Sequence, residues 1–205
     1  MITIVDYGLG NLASIQNMLK RIGVRSEISP DPDHIRQAGK LILPGVGAFD
    51  QGMRYIHEKG LKTALDEAVL EKGNPILGIC LGMQLLSRFS EEGHVAGLGW
   101  IQADTIRFQL GAGSERLRIP HMGWNTVHPQ KTSALLEGYD EEPRFYFVHS
   151  YHVVCDDTAD SLAAVDHGIR VTCAVERGNI LGVQFHPEKS HKYGMRLLEN
   201  FAKRY

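Results

Sequence analysis

Three short stretches of this 205-residue chain carry residues whose types and spacing could do covalent chemistry. In "PILGICLGMQLL" (75–86) an apolar run ends at Cys80 and a helical pattern starts at Leu81, with Gly78 and Gly82 on either side. This is the G-x-S-x-G nucleophile-elbow pattern with cysteine for serine, in which small neighbours relieve the crowding of a sharp strand-to-helix bend. Such a bend sets the sulfur at a helix N-terminus, where partial positive charge stabilises a thiolate. It also aims the Leu81 N–H at an incoming carbonyl oxygen. A buried cysteine between glycines that merely let helix and strand pack fits the same residues. In "GVQFHPEKS", His186 follows an apolar strand and Glu188 lies two residues on, on the same side of an extended chain. A carboxylate there can orient the imidazole of a general base, although an isolated H-P-E also describes a capped surface histidine. In "LILPGVGAFD", Gly45 and Gly47 flank Val46 after another apolar strand. That backbone can bring N–H groups close to a ligand oxygen, as an oxyanion hole requires, or can form a plain turn.

These residues need a frame that brings them together. "ITIV" is followed by Ile15, Met18, Leu19 and Ile22 at helical spacing. "KLILPG" is followed, after a loop, by Leu61, Ala64, Leu65, Ala68 and Val69 on one helix face, and "PILGIC" precedes the helix beginning near Leu81. Strands alternating with helices predict parallel strands joined by crossovers. After about Gly97 the runs "GLGWIQADTIRF", "PRFYFVHSYHVV", "SLAAVDHG", "IRVTCAVERG" and "NILGVQFH" are β-rich, and a last helix turns Met195, Leu198, Phe201 and Ala202 inward. The expected architecture is α/β: an open, mostly parallel sheet with an antiparallel extension and helices on both faces. Function in such sheets lies beyond the carboxyl ends of the parallel strands, where Cys80 would sit.

Residues 1–205 read as a single domain large enough for a sizeable core. A formal net charge of −2 gives no reason to expect nucleic acid or an anionic membrane as partner. The start "MITIVDYG" is not a signal peptide, and no apolar stretch is long enough to cross a bilayer. Three widely spaced cysteines, Cys80, Cys155 and Cys173, make no disulfide framework and fit a reducing, cytoplasmic setting.

Six segments in order, "DYGLGNL", "LPGVGAFD", "GICLGMQLL", "PHMGWN", "YFVHSYH" and "GVQFHPEKS", resemble the class I, triad-type glutamine amidotransferases, whose fold is flavodoxin-like. "PGVGAF" and "PHMGWN" narrow the resemblance to the glutaminase subunits of imidazole glycerol phosphate synthase, in histidine biosynthesis. The resemblance implies Cys80 as nucleophile, His186 as base and Glu188 as its orienter. It implies Gly45, Val46 and Gly47, with Leu81, for the oxyanion. Gln84, Glu92 and the backbone of Ser150 and Tyr151 would bind glutamine, with Glu91 a rival for the role of Glu92. Ammonia would pass to a (β/α)₈-barrel cyclase subunit in a heterodimer. There it would react with a phosphoribulosyl-formimino aminoimidazole carboxamide ribotide, giving imidazole glycerol phosphate and aminoimidazole carboxamide ribotide. No metal or organic cofactor is implied. Tyr146, His121, Trp124 and Lys189 fall in segments near the cyclase interface in this family.

Rival readings remain open. "Gly8-Leu9-Gly10-Asn11-Leu12-Ala13" matches the dinucleotide-binding G-x-G-x-x-A, with Glu27 at about the right distance to hold a ribose. Asn11 could equally cap the first helix. A glutaminase subunit of another class I amidotransferase, such as the anthranilate synthase type, and a non-catalytic subunit of the same fold are further alternatives. His149 and His152, three apart in one expected strand, should point to opposite faces, which argues against a shared metal.

Overall fold

The computed structural model describes residues 1–109 and 117–205. Its first part alternates as the apolar runs predict. β1 (Ile2–Val5), β2 (Ser26–Ser29), β3 (Leu41–Gly45) and β4 (Ile76–Cys80) are interleaved with five helices. These are α1 (Leu12–Arg21), α2 (Pro32–Gln37), α3 (Phe49–Glu58), α4 (Leu61–Asp66) and the single short turn-and-a-half α5 (Leu81–Leu85). The remainder is β-rich: β5 (Phe89–Ser90), β6 (Val95–Ala96), β7 (Ala103–Arg107), β8 (His121–Thr126), β9 (His128–Pro129), β10 (Arg144–His149), β11 (Tyr151–Cys155), β12 (Ser161–His167), β13 (Ile169–Arg177) and β14 (Ile180–Val183). Helix α6 (His191–Arg204) closes the chain. The main sheet runs β2-β1-β3-β4-β14-β13-β11-β7-β5-β6, and β8 with β10 makes a separate ribbon. The first five neighbours are parallel, and β14 then pairs antiparallel with β13 to begin the extension.

Alternation along the strands divides the core between two faces. Ile2, Ile4, Ile42, Leu77 and Ile79 pack with Ile15 and Leu19 of α1 and Leu197, Leu198 and Phe201 of α6. Leu41, Leu43 and Ile76 pack on the other face with Ile35, Phe49, Met53, Ile56, Leu61 and Leu65. Among the described residues no helix is long and apolar enough to cross a membrane.

Three expectations need correction. The stretch after "LPGVG", read as a loop, holds α3, with Phe49, Met53 and Ile56 buried at helical spacing. Gly52 interrupts that pattern in the sequence; in space it is where α3 closes on Leu81 and Leu85. The last helix buries Leu197, Leu198 and Phe201, whereas Met195 and Ala202 are only partly covered. "PRFYFVHSYHVV" is two strands, because the chain leaves the β8–β10 ribbon at Ser150 and enters the main sheet as β11. Asn11 does stand at the N-cap of α1, but its side chain makes no capping bond.

The β4–α5 bend is tightly packed. A Cβ on Gly82 would fall inside the van der Waals envelope of the Leu43 carbonyl oxygen, and one on Gly78 would lie 2.7 Å from the Gly82 backbone. Gly82→Ala therefore pushes α5 off β3. It is expected to lower unfolding stability by about 3 kcal/mol in urea titrations, a large effect for one methyl group.

Candidate active site

Three neighbouring parallel strands end at the same edge and supply the chemistry. Parallel register sets Gly45 opposite Cys80, and Val183 opposite Ile79, so β14 delivers Gln184, Phe185 and His186 beside the cysteine. At Cys80 the backbone takes φ 55 and ψ −109, the left-handed side of the map that a non-glycine residue rarely occupies. The elbow expected from "GICLG" is thus present, and its glycines are demanded by close approach. A cleft of about 250 Å³ opens there, lined by Val46, Gly47, Cys80, Leu81, Gln84, Glu92, Pro120, Val148, His149, Ser150, Tyr151 and His186.

His186 is buried, and its Nδ1 bonds Glu188 Oε1 at 2.8 Å. The carboxylate arrives by a different route from the extended chain expected. Pro187–Lys189 form one helical turn, which swings Glu188 back beneath the ring. Burial works against a charged imidazole, but Cys80 and Glu188 outweigh it and raise the His186 pKa to about 9. Nε2, the nitrogen toward Cys80, has no hydrogen-bond partner among the described residues, and neither does Glu188 Oε2. A thiol, an imidazole and a carboxylate so arranged can attack a carbonyl carbon and manage the proton.

The other expected residues surround this group. Glu92 accepts the Phe49 N–H at the start of α3, at 2.9 Å, and burial raises its pKa. Glu91 is turned away to accept the Arg107 N–H, so Glu92 is the one of the pair on the cleft. Gln84 bonds the Tyr151 carbonyl at 3.2 Å and Gln184 Oε1 at 3.0 Å. Gly45 lies behind the lining, where a side chain would run into the Tyr7 hydroxyl and the Leu81 Cβ.

Two residues here were not singled out by sequence reasoning. Gln184 is fully buried, and its Nε2 lies 3.8 Å from Cys80 Sγ. A glutamine inside the apolar run "ILGVQF" was the available signal, since a buried amide needs partners. Tyr7 is also fully buried, its hydroxyl without a partner among the described residues, and burial and then Cys80 raise its pKa. Nothing in "DYGLGN" marks it.

A family model described as glutamine amidotransferase class-I matches residues 3–205. This chain belongs to the class I glutamine amidotransferase family. It is 50% identical over 202 residues to imidazole glycerol phosphate synthase subunit HisH 2 of Pseudomonas aeruginosa, covering 98% of each chain. It is 51% identical over 203 residues to the Methanococcus maripaludis protein of the same name, covering 99% of each. A solved glutamine amidotransferase from Thermotoga maritima superposes with a TM-score of 0.65 at 18% identity, covering 98% of this chain and 81% of that one, a likeness of fold.

The remaining candidate residues of this amidotransferase divide cleanly. Gly8 and Gly10 have φ of 104 and 112, and Gly10 packs against Pro44 and Gly45. The glycine turn thus supports the β3 end, while Glu27 is engaged by Thr3 and by His34 at 2.5 Å. Trp124, Tyr146 and Lys189 share one surface: Trp124 pairs with Tyr146 across the ribbon and stacks on His191, and Lys189 Nζ stands over the Tyr146 ring. His121 does not join them, being buried against His149 at 2.9 Å. His149 and His152 do not face apart, because the break at Ser150 turns both rings onto Phe108, with centroids at 5.1 and 4.8 Å.

Neutralising Glu188 removes a contribution that favours the imidazolium. In Glu188→Gln the His186 pKa should fall from about 9 toward or below 6.5, followed by NMR of the ring protons.

Proposed function

We propose that this chain is the glutaminase subunit of imidazole glycerol phosphate synthase in histidine biosynthesis. It hydrolyses glutamine to glutamate and ammonia and passes the ammonia to a cyclase subunit, a (β/α)₈ barrel, in a heterodimer. The observation that carries this reading is the meeting of Cys80, the His186–Glu188 pair and Glu92 around one cleft in a chain half identical, over its whole length, to subunits of that synthase.

The cleft is roomy enough for one free amino acid. Glu92 receives the α-ammonium group, and the Ser150–Tyr151 backbone the α-carboxylate. The side-chain amide then lies toward Cys80. Gln84 uses both N–H groups inside the protein, which leaves its Oε1 to accept from the substrate amide. Cys80 thiolate attacks Cδ, and the carbonyl oxygen takes the negative charge within reach of the Gly45–Val46–Gly47 and Leu81 backbone. His186 gives its proton to the departing nitrogen as the C–N bond breaks, so ammonia leaves and a glutamyl thioester remains. The neutral imidazole then takes a proton from water, whose oxygen attacks the thioester. Glutamate departs, and the proton returns to the Cys80–His186 pair. Glu188 keeps Nδ1 protonated and stabilises each imidazolium. The surface formed by Trp124, Tyr146 and Lys189 docks the cyclase.

Cys80→Ala in the complex should abolish glutamine-dependent synthesis, by about a thousandfold or more, and leave ammonia-dependent synthesis intact. Survival of glutamine use would overturn the mechanism. Glu92→Ala should raise KM for glutamine at least about tenfold with a smaller change in kcat, because it removes a contact made equally before and during reaction.

A further inference from the structure

The nucleophile has a protein neighbour that the triad does not account for. Gln184 leaves β14 with its backbone N–H on the Cys173 carbonyl, at 2.9 Å, and its side chain fully buried between Gln84 and Cys80. The direction of its amide follows from hydrogen-bond logic. The Tyr151 carbonyl can only accept, so Gln84 must turn its NH₂ toward it, at 3.2 Å. The second hydrogen of that NH₂ meets Gln184 at 3.0 Å and requires an oxygen there. Gln184 must therefore turn its own NH₂ toward the Cys80 sulfur, at 3.8 Å. The opposite orientation would set two NH₂ groups against each other in a buried site. A second donor fixes the same carbonyl: His149 Nδ1 bonds Tyr151 O at 2.8 Å, which leaves His149 Nε2 to accept from His121 Nδ1. Burial holds the pKa of His149 down to about 3 and that of His121 to about 4, so this support stays neutral.

We propose that Gln184 is a positioning residue for the nucleophile, its amide N–H holding the Cys80 sulfur at the end of a hydrogen-bond chain in which the Tyr151 carbonyl fixes the direction of the Gln84 amide and Gln84 fixes that of Gln184. This rests on the glutaminase reading for its purpose. The peptide that carries the Tyr151 carbonyl adjoins the Ser150–Tyr151 backbone assigned to the substrate carboxylate, so substrate placement and sulfur placement share one frame. A donor at the sulfur favours its anionic form and limits its rotation toward the cleft wall. The other ionisable groups near the sulfur are His186 with Glu188, Tyr7 behind Gly45, and Glu92 across the cleft.

Gln184→Met keeps length and burial and deletes the donor; Gln184→Glu keeps shape and offers an acceptor. The first readout is the rate of Cys80 alkylation by iodoacetamide against pH, with the site assigned by mass spectrometry. Cys155 and Cys173 do not compete at neutral pH, because burial pushes the first up to about 11 and the second higher. At pH 7, alkylation of Gln184→Met should be about tenfold slower, with the midpoint about one unit higher, and Gln184→Glu slower still. In the complex with the cyclase, kcat should fall about tenfold or more with KM within about threefold. An unchanged alkylation profile and kcat in folded Gln184→Met would overturn the proposal. If that variant does not fold, the Gln184 side-chain amide can be followed by ¹⁵N NMR in the native protein and in Cys80→Ala. A pH-dependent shift present only with the cysteine supports the contact, and identical behaviour refutes it. Alkylation needs neither glutamine nor cyclase. A slowed Gln184→Met in a chain that never hydrolyses glutamine would sink the glutaminase reading and leave the sulfur contact standing.

Discussion

The site depends on a steric constraint at one residue. Between β4 and α5 the chain reverses its character within Cys80, which is held at φ 55 and ψ −109. Such a backbone costs about 1–3 kcal/mol in a non-glycine residue and persists only when its surroundings leave no alternative. Here the surroundings are Gly78 and Gly82, pressed against each other and against the Leu43 carbonyl. With that bend in place the sulfur stands clear of the sheet. Register then does the rest, because Gly45 lies opposite Cys80, and β14 brings His186 to the same edge.

Around the bend the protein has accepted polar groups in a buried setting and satisfied most of them. His121, His149, Tyr151, Gln84 and Gln184 form a continuous set of contacts from the β8–β10 ribbon to the sulfur. Three atoms near the nucleophile have no partner among the described residues: His186 Nε2, Glu188 Oε2 and the Tyr7 hydroxyl. Each such group disfavours the folded state by about 1–3 kcal/mol. A site whose donors are filled before substrate arrives has less to offer substrate. The clearest case is His186 Nε2, the atom that gives its proton to the departing nitrogen in the proposed reaction.

Much of this was legible in the sequence. Apolar runs marked β3 and β4, and the candidate chemical residues stood at or just past their ends. The grouping of Cys80, His186 and Glu188 was expected from the family resemblance, since cysteine between glycines and histidine before proline each had a structural reading when taken alone. What escaped was decided by tertiary contact. Helix α3 was hidden by Gly52, which weakens local periodicity in return for close approach to α5. The parting of β10 from β11 at Ser150 left no mark, because both halves have strand composition, and so the histidines were assigned to the wrong faces. Glu188 reached His186 through a helical turn where alternation had offered the same neighbour by another path. Gln184 showed only as a polar residue in an apolar strand; its partners lie in α5 and at the end of β4, 100 and 104 residues away.

The position of β14 bears on how the molecule is made. It is the last strand of the chain, yet it lies between β4 and β13, where it joins the parallel half of the sheet to the antiparallel half. Synthesis delivers β1 to β4 first, and that half must wait with the backbone of β4 unpaired along one side. During that interval the thiol exists without its base, so a nascent or truncated chain carries an open seam and no glutaminase. In the finished fold β14 fills the middle of the sheet, and the same strand brings His186 to the edge where Cys80 stands.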